Sequence, residues 1–129
     1  MKNAIFSFIV MFLIVSCATK AKFPVSSVTP AAQITVKMKK DKNENYAISV
    51  TANYLASAER LQTPMKTYVV WVKTKDNSIK NIGQMSSKNP KKSTLQTVTS
   101  FQPIEIFITA EHEGNISYPS GTEISRTNF

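Results

Sequence analysis

The sequence predicts an all-β domain, an antiparallel Ig-like β-sandwich of about seven strands. Short apolar runs alternate with polar residues at a period of two, and turn residues separate these runs at regular intervals. No long amphipathic pattern of helical period interrupts them. These features are typical of a sandwich, which we place at residues 33–129. A domain of this length buries about 60 to 65 % of its unfolded surface, enough for one core without disulfides.

The clearest pair of strands opens this domain. Ile34, Val36 and Met38 alternate with polar residues, a polar turn follows at 41–45, and residues 46–54 alternate again. Two alternating runs joined by a short polar segment predict a β-hairpin.

The remaining strands are less regular. Residues 55–62 favour one or two helical turns, which Thr63-Pro64 would end. Residues 67–73 are apolar on both faces, so we expect a central strand. The further strands are expected at 79–85, 94–99, 104–109 and 122–127.

The segment before the domain has the features of an export signal. Lys2 is a short basic start, residues 4–15 are apolar, and Ile14-Val15-Ser16-Cys17 ends the run. The run is too short for a spanning helix, which needs about 20 apolar residues. The order aliphatic, aliphatic, small, Cys resembles the lipobox of bacterial lipoproteins. The alternatives are an ordinary cleaved signal that happens to end at this Cys and a retained anchor helix.

The lipobox resemblance implies a division of the chain and a location. Residues 1–16 would be the lipoprotein signal peptide, and residues 17–32 the lipidated Cys17 followed by a flexible linker rich in Ser, Thr, Ala and Lys. Several acyl chains would tether the protein to a membrane permanently. Ala18 is not the Asp that typically retains lipoproteins in the inner membrane, and residues 18–22 are not acidic. The expectation is the outer membrane, facing the periplasm.

The cysteine content agrees with this interpretation. Cys17 is the only Cys in the chain, so the exported domain has no disulfide.

The charge of the chain is uneven. Sixteen Lys and Arg oppose eight Asp and Glu, which gives a net charge of +8. All basic residues except Arg126 lie at or before Lys92, whereas half of the acids follow it. The basic part could meet lipid headgroups, lipopolysaccharide phosphates or cell-wall carboxylates. The alternative is solvated lysines that keep a small β-domain soluble and unpaired.

Four residues are candidates for ligand binding. Lys88, Lys91 and Lys92 lie in one predicted loop, and Trp71 lies on the predicted central strand. Aromatic residues on apolar strands belong more often to the core, which is the alternative for Trp71. A second basic group, at Lys73, Lys75 and Lys80, flanks the turn before the strand 79–85. The two groups should lie about 20 Å apart, at opposite ends of this strand.

The sequence offers no catalytic site, metal site or cofactor motif. Glu111-His112-Glu113 is the one His with nearby carboxylates, but in a strand His112 would point away from both. Neither a Gly-x-Ser-x-Gly elbow nor a Gly-rich phosphate loop occurs.

Several short motifs resemble a known extracytoplasmic domain. They are Tyr68-Val69-Val70-Trp71-Val72, Asn81-Ile82-Gly83, Ile106-Phe107-Ile108-Thr109-Ala110-Glu111 and Tyr118-Pro119-Ser120-Gly121. Over residues 61–121 they look like the C-terminal domain of anti-sigma-K factors. The resemblance implies a sandwich and a sensory or binding role. The chain lacks that family's sigma-binding region and spanning helix, and His112 and Glu113 stand where the family tends to have Pro. Sigma-factor inhibition is therefore not implied.

Together these features predict a membrane-anchored envelope lipoprotein with a non-catalytic binding or structural module. Its expected partners are the membrane, through Cys17, and an anionic envelope polymer or another envelope protein, with no nucleic acid. The alternative is an envelope hydrolase acting on cell-wall or surface polymer. The first predicts aromatic residues and Lys on an open surface, whereas the second predicts carboxylates that converge on His112.

Overall fold

The computed structural model describes residues 18–129, so the proposed signal peptide and Cys17 lie outside the described residues. One turn of 3-10 helix, Ala58–Arg60, precedes the fourth strand. The strands are β1 Thr19–Lys22, β2 Gln33–Lys40, β3 Tyr46–Asn53, β4 Thr67–Lys73, β5 Ile79–Gln84, β6 Ser86–Asn89, β7 Lys92–Thr99, β8 Glu105–Glu111 and β9 Thr122–Asn128.

The strands form two antiparallel sheets that pack face to face. One sheet has the order β1-β2-β3-β7-β6 and the other the order β5-β4-β8-β9. In an immunoglobulin sandwich, strands A, B, E and D face strands C, F and G. The same order results here when β2 is A, β3 is B, β4 is C and β8 is F, with β5 added beside β4. The predicted all-β, antiparallel Ig-like sandwich is confirmed.

The hairpin predicted from alternation is formed by β2 and β3. Ile34 lies opposite Ala52 and Val36 opposite Val50, and all four side chains are buried. In the turn, Asp41 Oδ1 accepts hydrogen bonds from the backbone N–H groups of Asn43 and Asn45, at 2.8 and 2.9 Å. Asp is favoured at the start of this turn because its side chain accepts hydrogen bonds from the backbone N–H groups of the turn.

The main core lies between the two sheets. It is built from alternate residues of the central strands, because successive side chains of a strand point to opposite faces. Ile48 and Val50 on β3 belong to the same buried cluster as Val70 on β4 and Ile106 and Ile108 on β8. The predicted helical segment contributes Ala58 and Leu61 to this core, but it forms only one 3-10 turn.

A second, smaller core lies on the other face of β4 and β8. Val69, Trp71 and Phe107 are fully buried there, and Ile116 packs against them. Ile116 belongs to the connection between β8 and β9, residues 112–121, which folds back over this face. The prediction that β4 is a central strand is confirmed, and both of its faces are buried.

Polar contacts hold this connection in place. The Asn81 side chain donates hydrogen bonds to the carbonyl oxygens of Gly114 and Ile116, at 2.8 and 3.0 Å. Near its end, a Cβ on Gly121 would lie 1.8 Å from the carbonyl oxygen of Ala110. Only glycine allows an approach this close, so the connection lies directly against β8.

A chain of buried hydrogen bonds continues from the second core. Trp71 Nε1 donates to Thr109 Oγ1 at 2.8 Å, and Thr109 Oγ1 donates to Glu111. The Glu111 carboxylate also accepts from the backbone N–H and the hydroxyl of Ser120, at 3.2 and 2.9 Å. Glu111 is 1 % exposed. Its desolvation is offset by these donors, which is the usual condition for a buried polar group.

The prediction of a flexible linker at residues 17–32 is wrong for the described part of that segment. Strand β1 pairs with β2 along its whole length, from Thr19 opposite Met38 to Lys22 opposite Thr35. Phe23 is buried in the main core, and the Ser125 hydroxyl donates to the carbonyl oxygen of Pro24 at 2.8 Å. The buried ring of Phe23, the packing of Ala21, Val28 and Ala32 against the same core, and the edge of β2 order this segment. The folded domain begins at Thr19 and not at residue 33.

Residues 18–129 contain nine strands and not about seven. The additional strands are β1 and β6, and β6 lies in the segment predicted as a basic loop. It pairs with β7 while β5 pairs with β4 in the other sheet, so the chain crosses between the sheets near Met85. No polar linker in the sequence marks this crossing.

Among residues 18–129, no helix has the length and apolar character needed to cross a membrane.

Replacing Trp71 with Ala should lower the free energy of unfolding by about 3 to 5 kcal/mol, because it removes a fully buried ring and the donor to Thr109. Chemical denaturation of parent and variant would measure the change. Tyr118→Ala is the matched control, since that ring is 78 % exposed and should contribute little. Equal stability of Trp71→Ala and the parent would contradict the burial of this side chain.

Candidate functional site

The sandwich has two ends that differ in structure, which we name the turn end and the cleft end. The turn end contains the β2–β3 turn at 41–45, the β4–β5 turn at 74–78 and the β7–β8 connection at 100–104. The cleft end contains the β3–β4 connection at 54–66 and the β6–β7 hairpin. Strand β3 separates the two ends by about 24 Å, given a rise of about 3.4 Å per residue.

The cleft end has a depression with a volume of about 620 Å³. Its walls come from the β3–β4 connection on one side and from the β6–β7 hairpin on the other. Its lining includes Tyr54, Glu59, Arg60, Lys66, Tyr68, Met85 and Ser87.

Tyr54 stands out among these residues. Its side chain is 54 % exposed, and its backbone has φ of 58°, the left-handed region that a bulky non-glycine residue rarely adopts. Its N–H donates to the carbonyl oxygen of Lys91 at 2.8 Å, which joins this wall of the cleft to the hairpin. Strained backbone that the surrounding structure maintains is often found at binding sites. Tyr54 therefore presents an accessible aromatic ring on a backbone that the hairpin contact holds.

Tyr68 forms the base of the cleft. It is largely buried, and its hydroxyl donates to the carbonyl oxygen of Ala56 at 2.6 Å. Burial raises the pKa of Tyr68 to about 12, because the phenolate would be poorly solvated there. The hydroxyl is therefore neutral at physiological pH and fixes the β3–β4 connection against β4.

The charges at the cleft end are mostly positive. Arg60 and Lys66 line the cleft, and Glu59 is the one acid beside them. Lys88, Lys91 and Lys92 are exposed on the hairpin next to the cleft, where Ser87 and Pro90 form the lining. Within residues 18–129, ion pairs join only Lys40 to Glu44 and Arg126 to Glu105 and Glu123. The five cations at the cleft end are thus available to an anionic ligand.

The structure brings together Lys88, Lys91 and Lys92, three of the four predicted ligand-binding residues. Trp71, the fourth, lies elsewhere. That side chain is 0 % exposed on the four-stranded sheet, stacked against Phe107 with ring centroids 6.3 Å apart. Arg126 covers the Phe107 ring in turn, at 4.1 Å from its centroid. No face of Trp71 remains for a ligand, so the hypothesis that it contacts one is wrong. The physical reason is that Trp71 belongs to the second core and does not line the cleft.

The two basic groups predicted around the strand 79–85 lie at opposite ends of the molecule. Lys73, Lys75 and Lys80 are at the turn end, where Lys80 Nζ lies 5.0 Å from the centre of the Phe101 ring. The hairpin with Lys88, Lys91 and Lys92 is at the cleft end. They form separate patches and cannot bind one small ligand together.

The uneven charge of the sequence becomes a difference between the two sheets. The strands of the five-stranded sheet contain no Asp or Glu. Their exposed outer face carries lysines on the two strands nearest its β1 edge, and a row of Thr crosses the middle of the sheet. These residues are Lys20, Lys22, Lys37 and Lys39, and Thr35, Thr51 and Thr94. The face is flat and basic, and nothing in the described part of the chain covers it.

The Glu111-His112-Glu113 segment does not form a reactive cluster. Glu111 is buried and engaged by Thr109 and Ser120, whereas His112 and Glu113 are exposed. Within the described residues, no three side chains of His, Cys, Asp or Glu come close enough to hold a metal ion.

Sequence reasoning missed Arg60 and Lys66, and it favoured the core over a ligand groove for Tyr54, which is exposed. Arg60 and Lys66 are separated by a Thr-Pro segment that reads only as the end of a helix, and Tyr54 reads as the last residue of an alternating strand. The one available signal was that Tyr54, Arg60 and Lys66 occur in a single segment between two strands. The meeting of this connection with the hairpin depends on the crossing between sheets, which the sequence does not mark.

No protein-family model, curated protein or solved structure matches this chain. The resemblance to the anti-sigma-K domain therefore stays a prediction that depends on the short motifs alone.

Stability should depend on the ionisation of Tyr68. Its folded pKa lies above its ordinary value of 10.0, so the fold favours the neutral form. The contribution is fully present below about pH 10 and is lost as the pH rises towards 12. The parent should therefore lose more stability than Tyr68→Phe between about pH 9 and about pH 11 in chemical denaturation. The Phe variant shares all lysine titrations, so an equal loss in both proteins would contradict the assignment.

Proposed function

We propose that this protein is a bacterial envelope lipoprotein, anchored through Cys17, whose β-sandwich is a non-catalytic binding module for an anionic envelope polymer. The observation that carries the binding role is the set of five cations, free of carboxylate partners, around a cleft that also presents Tyr54. The proposed location is the outer membrane, facing the periplasm, which follows from the residues after Cys17 and not from the fold.

The chemical groups that are exposed at the cleft end support polymer binding. Lysines and an arginine attract phosphates or carboxylates, and an exposed tyrosine ring packs against sugar rings or apolar groups. Lipopolysaccharide phosphates and cell-wall carboxylates both have this chemistry. Another envelope protein with an acidic surface is the alternative partner.

The alternative of an envelope hydrolase receives no support from the geometry. A hydrolase of the expected kind needs carboxylates directed at the imidazole of His112 or at a bound polymer. Glu111 instead points into the buried hydrogen-bond chain, and the cleft contains Glu59 as its one acid.

The anchor can be tested directly. Cys17→Ser should abolish acylation, because the thiol that would accept the lipid is gone, and the protein should leave the detergent-extracted lipoprotein fraction. Metabolic labelling with a fatty acid analogue would measure this. Label incorporated equally into the variant and the parent would refute lipidation at Cys17.

Polymer binding should weaken when the hairpin loses its charge. The purified full chain with Lys88, Lys91 and Lys92 replaced by Gln should co-sediment less with purified cell wall or lipopolysaccharide than the parent. Because exposed charges are screened within about 8 Å at physiological ionic strength, binding by the parent should also fall as salt rises. The melting temperature should change little, since all three side chains are exposed.

The matched control removes the same charge at the turn end, through Gln at Lys39, Lys40 and Lys42. It should retain polymer binding if the cleft end is the site. Equal weakening by both triple variants would indicate attraction to net charge alone. Co-sedimentation that salt does not affect, or none at all, would leave the hairpin lysines as solubilising charge.

A further inference from the structure

We propose that the turn end of the sandwich is a docking surface for the anionic lipid headgroups of the membrane that holds the anchor. This inference rests on the proposed lipidation of Cys17. It adds an orientation: the turn end faces the bilayer, and the cleft end faces away from it.

The first step is the distance between the anchor and the folded domain. Strand β1 begins at Thr19, two residues after Cys17, and is hydrogen-bonded to β2 from that residue on. Two residues span at most about 7 Å. A linker of the predicted fifteen residues would let the domain rotate freely. With β1 formed, the domain is held against the membrane surface.

The second step is which end of the domain meets that surface. Thr19 pairs with Met38, and β2 continues past this pair through Lys39 and Lys40 towards the turn. The described chain therefore begins at the end of the sheet that carries Lys40 and the β2–β3 turn. The chain enters the domain at the turn end.

The third step is the charge of this end. Its lysines come from both sheets: Lys39, Lys40, Lys42, Lys73, Lys75 and Lys80. The acids at its two turns are Asp41, Glu44 and Asp76. Asp41 accepts backbone hydrogen bonds within its turn, as Asp76 does from Ser78, and Glu44 lies 4.0 Å from Lys40. The excess of lysines matches the sign of a bilayer rich in anionic lipids.

The fourth step is an exposed aromatic ring among these lysines. Phe101 lies in the β7–β8 connection, is 45 % exposed and contacts Lys80 at 5.0 Å. An apolar ring flanked by lysine is the usual composition of a surface that lies in the headgroup region. Phe101 would enter the boundary of the acyl chains while Lys80 remains with the phosphates.

The orientation also explains why two basic patches exist. The cleft end lies about 24 Å from the turn end, beyond the Debye length at physiological salt. Lysines at the turn end would be neutralised by the headgroups. Those at the cleft end would remain available to a polymer at a distance from the membrane.

The test uses the full acylated protein in two kinds of vesicle, phosphatidylcholine alone and phosphatidylcholine with about one third phosphatidylglycerol. An amine-reactive acetylating reagent labels exposed lysines, and mass spectrometry reports each site. Labelling of Lys39, Lys40 and Lys42 should fall about three-fold or more in the anionic vesicles and recover in high salt. Labelling of Lys88, Lys91 and Lys92 should stay the same, which provides an internal control.

Three outcomes would overturn the inference in different ways. Equal labelling of both patches in both vesicles would show a domain without preferred orientation. Protection of the hairpin lysines in place of the turn end would reverse the orientation. Failure of the protein to float with vesicles at all would refute the anchor, and the docking surface with it.

A variant separates docking from anchoring. The protein with Lys39, Lys40 and Lys42 changed to Gln should still float with the vesicles, because the acyl chains remain. Lys75 and Lys80 should then lose their protection in anionic vesicles. The triple Gln variant of the hairpin lysines should keep that protection. Unchanged protection in the first variant would contradict docking through these lysines.

Discussion

The structure depends on one constraint, which is that β4 and β8 are buried on both faces. On one face, Val70 and Ile108 must be covered by one layer of the structure. On the other face, Trp71 and Phe107 must be covered by a different layer. The five-stranded sheet covers the first pair. No second sheet is available for the other pair, so the β8–β9 connection folds back over it. The buried hydrogen bonds from Trp71 through Thr109 to Glu111 and Ser120 follow, because a connection that covers apolar rings must also satisfy its own polar groups.

The same constraint separates the charges. Since the connection and Arg126 cover the outer face of the four-stranded sheet, the open flat face belongs to the five-stranded sheet, whose strands contain no acid. The direction of the strands then places different segments at the two ends of this sheet. The chain enters at the turn end through β1, and the crossing from β5 to β6 places the hairpin at the cleft end. The proposed anchor and the proposed polymer site are thereby held apart.

Two of the wrong expectations arose where a local pattern is weak and a distant contact decides the structure. Residues 18–32 have the composition of a linker, yet the free edge of β2 and a pocket for Phe23 order them. Trp71 was a candidate ligand contact because alternation does not reveal whether the second face of a strand is covered. Only the length and path of the β8–β9 connection answer that question.

The sequence by itself determined the fold class, the positions of β2, β3, β4 and β8, the central place of β4 and the grouping of the hairpin lysines. Alternation and turn residues are local properties, so they can be read without knowledge of the partners. The tertiary structure alone decided that β1 exists, that Trp71 is covered, and that Tyr54, Arg60 and Lys66 meet the hairpin around a cleft. Each of these results needs two segments far apart in the chain to come together. Pairing of this kind is set by which edges and faces remain uncovered once the central strands have packed.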